Sequence, residues 1–440
     1  MTTDDSRRVS LLLGVLFGLA GMGSASAAIV VPIISDEFGL GVGGATWTIS
    51  LYALMFAVTT AVYGRVSDLV GIKAPLLFGI VLMSGGALVA ALAPTFGLHL
   101  VGRLLQGAGA AAVPTLGVAV LTSRYDARLR SLALGRLAAT AAAISCLGPL
   151  LGGAVEHSLG WRAVMAIPIL GALVLPFLWP ALSGEGTRAE LDLIGAALVA
   201  ATAAGLVLLV QSPSTGATVA VIGLLLLVCG LPAVAWWVRR RPHGFLPVAV
   251  IRNGTVVRHA LAGSAVPAAW FAQLIAVPAV LIGDGWQTWT VGLLLVPSAV
   301  LAALVPRLTG GLIDRLGPSG SLSVSAAVAA GSLGVCAIGA ATVSPVLLAL
   351  GIVLNTFAFG IGQPSMTAAV GDAVAPEVRG IALGVATLVF MTGGSVGSAV
   401  VGGLGDVAGI GASLGVLAAL PLLGVLALVP EVRRTAGVVG

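Results

Sequence analysis

Apolar runs long enough to cross a bilayer recur along almost the whole chain. That one feature removes most folds from consideration. A helix that spans the hydrocarbon core needs about 20 consecutive apolar residues. Fourteen such runs are readable, at about 9–34, 45–63, 74–93, 97–121, 131–155, 161–182, 191–211, 217–238, 257–282, 288–308, 320–342, 345–370, 380–404 and 408–429. Only 8% of the 440 residues are charged and 58% are hydrophobic, whereas a soluble domain is roughly a quarter charged. Most of the surface therefore has to face lipid. In lipid every backbone polar group must be satisfied internally, so the runs are helices. Gly and Pro inside them are ordinary for membrane helices.

Charge placement gives the expected orientation. With the N-terminus in the cytoplasm, every basic residue except Arg103 and Arg162 falls in a cytoplasmic segment, while Asp36, Glu37, Glu156, Asp284 and Asp406 fall outside. This is the positive-inside pattern, and it places both termini in the cytoplasm of a multi-pass inner-membrane protein. The pI near 9.7 does not signal nucleic acid, because the basic residues sit in short gaps rather than in a patch. The segment after Arg7 and Arg8 has a signal-peptide-like site at Ser24 to Ala28, but apolar residues continue to Ile34, so it reads as a first span. The charge pattern alone would also suit twelve spans. Two full-length runs from Leu191 to Val238, parted by the turn-rich set Gln211 to Gly216, decide for fourteen.

Cys146, Cys229 and Cys336 lie within apolar runs and read as packing residues, and the four histidines show no metal-ligand spacing. No phosphate-binding loop and no nucleophile–base pair is present. Neither an enzyme nor a cofactor is expected. Asn253-Gly-Thr255 matches a glycosylation sequon but falls on the cytoplasmic side, and Arg239 to Arg241 reads as a topology signal.

The two halves share marks. Gly64, Asp68 and Gly71 recur as Gly310, Asp314 and Gly317, with the two aspartates 246 residues apart. Arg130 to Gly135 recurs as Arg379 to Gly384, 249 residues on. Two six-span halves around an inserted hairpin give this spacing. The expected division is 1–182 for the first bundle, 183–256 for a linker with two extra spans, and 257–440 for the second bundle. Parallel repeats related by an axis along the membrane normal place a substrate site near the midplane, between the halves.

Three segments carry a family resemblance. Gly64-x-x-x-Asp68-x-x-Gly71-Ile-Lys73 resembles the loop signature of the major facilitator superfamily. Arg103-Leu-Leu-Gln106-Gly107-Ala-Gly109 stands in span 4, and Gly148-Pro149-Leu-Leu-Gly152-Gly153 in span 5 resembles the antiporter motif of drug exporters. Trp161-Arg162 and a proline-bearing span 6 follow, as in the fourteen-span drug–proton antiporters, and residues 61–68 and 106–112 are similar to Gram-positive tetracycline exporters. The resemblance implies an all-α major facilitator fold of two six-helix bundles plus a central hairpin. It also implies a monomeric exporter with a small amphipathic substrate and protons as its partners, and proton coupling through Arg103.

The residues also carry physical roles of their own. The glycine-framed segment 64–71 reads as a tight loop in which Asp68 caps a helix N-terminus and meets a basic group of the other bundle. Gly64, Arg65, Asp68, Gly71 and Lys73, with Gly310, Asp314, Arg315 and Gly317, are the expected gating residues. An arginine inside a span costs at least a few kcal/mol unless it faces a cavity or a partner, so Arg103 is read as functional. Asp36 and Glu156 are the carboxylates that join it as proton-coupling candidates. Gly148, Pro149, Gly152 and Gly153 form a small-residue stripe with a kink, suited to a flexible seal between the halves. The glycine usual four residues before Gly148 is here Ile144.

The acids are the main departure. No Asp or Glu stands near the middle of any span. Ser145, Gly394 and Gly23 occupy positions where related exporters carry one. A buried carboxylate is the usual proton carrier and counter-charge for cations. Polar and aromatic residues within spans are the substrate-cavity candidates: Ser24, Ser26, Tyr52, Gln106, Ser145, Trp270, Gln273, Asn355, Phe359, Gln363 and Met391. They suit a neutral or weakly charged amphipathic molecule. The expected activity is secondary export of drugs or antibiotics, tetracycline-like or multidrug, by proton antiport with alternating access. Export of an endogenous metabolite or lipid-like molecule without proton coupling, and a non-transporting sensor or scaffold, stay open.

Overall fold

The computed structural model describes residues 3–182, 192–242, 244–375 and 378–439. Arg188 and the side chains of Arg65, Asp68, Arg128, Arg307 and Arg434 lie outside the described part. Among the described residues, fourteen helical segments are long and apolar enough to cross a membrane. Spans 1 to 6 are Asp4–Ile29, Val42–Gly64, Lys73–Leu92, Phe96–Arg124, Leu132–Leu159 and Trp161–Ala181. The inserted hairpin supplies span 7, Leu193–Thr215, and span 8, Ala217–Arg240. Spans 9 to 14 are Gly254–Gly283, Thr288–Val305, Leu308–Ala341, Pro345–Asp372, Ala382–Ala408 and Ile410–Arg433. Two six-helix bundles and a hairpin between them in sequence make up the all-α molecule. Because the spans are even in number, the first and last described residues lie at one end, called here the proximal end. The turns near residues 39, 160, 216, 285 and 409 mark the distal end.

Local chemistry explains the breaks within spans. Span 1 bends at Val30, with Pro32 in the first turn of the helix Val31–Glu37 that extends it. Span 5 breaks at Leu147, where Pro149 opens the helix Gly148–Leu159. Span 6 tightens into a 3-10 segment at Ile167–Val174, again with a proline in its first turn. Each proline lacks an N–H and is tolerated best in the first turn of a helix, so each marks where a new segment begins.

Three segments that read as loops or turns are mostly helix. The helix Trp47–Val70 runs through residues 64–70, and only Gly71 departs, at φ 78. The N-cap position of the next helix is Ile72, and the expected capping by Asp68 falls on a side chain outside the described part. In the second half residues 310–316 are likewise helical and the chain turns only at Gly317, φ 69. A single left-handed residue, cheap only for glycine, suffices to reverse the helix direction. The matched pair is therefore Gly71 and Gly317. In the hairpin, Gln211 to Thr215 complete the helix Leu193–Thr215, and the turn is Gly216 alone, φ 99.

The hairpin is tied at its proximal base by Asp192. One carboxylate oxygen accepts from Gly195 N at 2.8 Å and from the Trp237 indole at 2.9 Å, and the other accepts from Phe245 N at 2.8 Å. Burial pushes this carboxyl upward, but the bonds from Phe245, Gly195 and Trp237 and the Arg241 charge outweigh it and hold its pKa below the usual range. A lowered carboxylate pKa contributes stability that is complete above the ordinary value of about 3.9 and is lost as pH falls through the lowered one. Amide exchange at Gly195 and Phe245, corrected for its intrinsic pH dependence, should stay slow down to pH of about 4 and speed up only below. In Asp192→Ala the same amides should exchange fast at neutral pH.

Candidate functional site

Span 4 opens on the N-cap Thr95, whose hydroxyl accepts from Leu98 N. Arg103 follows two turns along, fully buried. The helix comes unusually close to span 2 because position 107 is glycine: a methyl group there would lie 3.0 Å from Tyr52 Cα. That closeness seals Arg103 from lipid and rules out snorkelling to the membrane surface.

The guanidinium is held by three spans. Its Nε donates to the Thr48 carbonyl of span 2 at 2.8 Å, and one Nη donates to the Gly23 carbonyl of span 1 at 2.7 Å and to Gln106 Oε1. The Tyr52 ring lies under it, 4.5 Å from the guanidinium carbon, and the Tyr52 hydroxyl donates to the Ala20 carbonyl at 2.8 Å. The second Nη and Gln106 Nε2 have no hydrogen-bond partner. Among the described residues Arg103 pairs with no carboxylate. Carbonyl dipoles and a ring face soften the charge but do not neutralise it, so the site keeps a fixed positive potential and two unused donors. Hydrogen bonds to a charged group contribute about 1.5–3 kcal/mol each. Three of them offset the few kcal/mol of placing an arginine in a span.

The antiporter-motif segment lies between two neighbours. Methyl groups at Gly148 and Gly152 would meet Ala25 and Ser26 of span 1. One at Gly153 would lie 2.5 Å from the Thr288 carbonyl of span 10, in the other half. Gly292 reciprocates, with the Pro149 carbonyl 2.7 Å from where its Cβ would be. Glu156, partly buried here, accepts from the Thr288 hydroxyl. Asp36 is exposed at the distal end, and neither it nor Glu156 touches Arg103.

A second distal seam joins spans 2 and 13. Gly43 N donates to Asp406 Oδ2 at 2.9 Å, and one turn or more deeper the Ser50 and Ser398 hydroxyls meet at 2.9 Å. The distal ends of the two halves are thus closed on each other along two seams.

The other sequence-selected residues scatter. Ser24 and Ser26 turn back onto carbonyls of their own helix. Ser145 donates to Gly18 O at 3.3 Å, joining spans 1 and 5. Gln273 donates to Ser332 within the second bundle, and buried Asn355 has neither amide atom bonded. The Trp270 and Phe359 rings meet tilted, at 5.8 Å between centroids; Gln363 and Met391 are half-buried. Lys73 sits over the Trp179 ring at 4.1 Å. Asp314 and Arg315 are exposed on their helix. The structure therefore brings Tyr52, Arg103 and Gln106 together and leaves the second-half candidates apart from them.

A family model described as the Major Facilitator Superfamily matches residues 13–191 and 192–398. The chain belongs to the Major Facilitator Superfamily. Among its relatives are Uncharacterized MFS-type transporter YvkA of Bacillus subtilis (strain 168), 25% identical over 90% of this chain and 89% of that one. Another is Multidrug resistance protein Stp of Mycobacterium tuberculosis (strain CDC 1551 / Oshkosh), 26% identical over 85% of this chain and 71% of that one. The fold matches the crystal structure of peptide transporter POT in complex with sulfate with a TM-score of 0.71, at 16% identity and over 97% of this chain and 95% of that one. The chain is thus a membrane transporter of the major facilitator fold, not an enzyme.

Two residues of this major facilitator site escaped sequence reasoning. His99, one turn from Arg103 on the same face, is fully buried beneath Phe38, Phe96 and Trp161. Its ring nitrogens lie 3.0 Å from Ala90 O and 3.3 Å from the Thr48 hydroxyl. Thr48 thus touches both His99 and Arg103. Gln211 of span 7 is fully buried at the seam between spans 2 and 13. Arg103 betrayed itself as a charge in an apolar run, and a buried amide carries the same, weaker signal.

Proposed function

We propose that this transporter exports small amphipathic compounds, drugs or antibiotics among them, in exchange for protons, by rocking its two halves about a site near the midplane. The carrying observation is the buried Arg103 guanidinium, fixed by spans 1, 2 and 4 with one Nη unpaired and, among the described residues, no carboxylate beside it. A permanent positive charge in a dry site lowers the proton affinity of neighbouring groups and attracts electron-rich parts of a substrate. The relative named as a multidrug resistance protein supports the substrate class. The distribution of arginines supports a cytoplasmic proximal end. The matched turns at Gly71 and Gly317, with Asp68 and Asp314 one turn before them, are assigned to the proximal gate, and the two distal seams to the opposite one. The bundles 1–182 and 257–440 are assigned as the bodies that rock, around a single-chain transport unit.

Cells that express the protein should accumulate less tetracycline or less of a neutral amphipathic dye than cells that lack it, with the difference abolished by collapsing the proton gradient. Equal accumulation across a chemically varied panel contradicts the drug reading. Export without proton coupling is favoured by one observation, the lack of any Asp or Glu near the middle of a described span. In that case drug accumulation falls but does not respond to the proton gradient.

A further inference from the structure

The inserted hairpin reaches the gate between the halves. Span 7 lies against span 13 so closely that a methyl group at Gly403 would stand 3.0 Å from Gln211 Cα and overlap the Val210 carbonyl. From that position the fully buried Gln211 side chain extends across to span 2. Its Nε2 donates to the Gly43 carbonyl at 3.0 Å and to the Thr46 hydroxyl at 2.8 Å. Thr46 in turn donates to Gly43 O at 2.7 Å. Asp406 of span 13 holds the N–H of the same Gly43. Residues 43–46 are therefore gripped by span 13 and span 7 together. Among the described residues these are the only hydrogen bonds between span 7 and span 2. Gln211 Oε1 has no partner, so the side chain is not placed for general polar satisfaction; its donor side alone is used, and that side faces the other half.

We propose that Gln211 is a latch of the distal gate, which makes the inserted hairpin part of the rocking mechanism rather than a passive insertion. It rests on the alternating-access reading above. Span 7 is clamped to span 13 backbone to backbone, so it travels with the second half. When the distal ends part, the two bonds to Gly43 and Thr46 must break along with the Gly43–Asp406, Ser50–Ser398 and Thr288–Glu156 bonds. They stabilise the distal-closed state and no other, and their loss shifts the balance toward the distal-open one.

The test uses the full-length protein in membranes, with Cys146, Cys229 and Cys336 replaced by alanine, and with Ser50→Cys and Ser398→Cys. Those two hydroxyls meet across the seam at 2.9 Å, so oxidative crosslinking reads the closed fraction. Gln211→Met keeps the length and removes the donors. Two neutral hydrogen bonds predict a fall in the closed-to-open ratio of about tenfold. Thr46→Val should give a smaller fall, and the double variant less than the product of the two, because they break a shared bond. Gly153→Leu, which obstructs distal closure directly, is the open reference. Reduced crosslinking in both Gly153→Leu and Gln211→Met supports the latch. Reduced crosslinking in Gly153→Leu alone overturns the latch and leaves alternating access standing. Unchanged crosslinking in both overturns the latch together with alternating access. Monodisperse elution of each variant separates these outcomes from misfolding.

Discussion

Transport by Arg103→Gln is expected to fall by at least about tenfold while the protein still inserts and folds. The reasoning is energetic. The guanidinium makes three hydrogen bonds that join spans 1, 2 and 4 and lies over the Tyr52 ring. Glutamine removes the charge and the reach to Thr48 and Gly23 together, and hydrogen bonds to charged groups contribute about 1.5–3 kcal/mol each. A loss of even 1.4 kcal/mol that is felt more in one conformation than in the other changes its population tenfold. Insertion should survive, because replacing a buried charge by a neutral amide lowers the cost of placing the span in lipid. Arg103→Lys tests the same point from the other side. Lysine keeps the charge but cannot serve two carbonyls and Gln106 with a planar fork, so it should be nearly as impaired. Drug accumulation in cells matched for membrane expression reads both. Near-normal export by Arg103→Gln would remove Arg103 from the mechanism.

Gly153→Leu should abolish net transport outright. The Gly153 backbone meets span 10 across the seam, and a side chain there would run into the Thr288 carbonyl and Trp289 Cα at 2.5 and 2.8 Å. Both obstacles are main-chain atoms, which cannot rotate away. The clash falls between the halves and not inside either one. Each bundle should therefore fold, while the distal end cannot close. Gly397→Leu is the contrast: its Cβ would overlap the Ala268 carbonyl of span 9, inside the second bundle, so it should lower yield and thermal stability. Loss of transport at normal yield in Gly153→Leu, against loss of yield in Gly397→Leu, is the expected pattern. Comparable transport by Gly153→Leu and the unsubstituted protein would mean that the seam is not a gate.

The fourteen spans were legible because the requirement for apolar length is absolute in lipid and leaves a direct mark on the sequence. Arg103 was legible for the same reason, since a charge in such a run needs a partner. In the sequence, residues 64–70 and 310–316 look like loop because glycine and aspartate favour turns, yet each helix continues until one left-handed glycine ends it. The polar set at 211–215 looks like a turn on similar grounds, yet it completes its helix. Gln211 matters through contact with Gly43 and Thr46, far away in sequence, and no local pattern announces such a contact. His99 gave no spacing signal because its partners are a backbone carbonyl and a single hydroxyl.

Proton release on adding substrate to acid-loaded proteoliposomes of the purified protein tests proton-coupled export most directly. The expected result is release that rises with tetracycline or dye concentration in the unsubstituted protein and is lost in Arg103→Gln. Substrate movement with no proton signal in either protein would contradict antiport and leave export by another driving force.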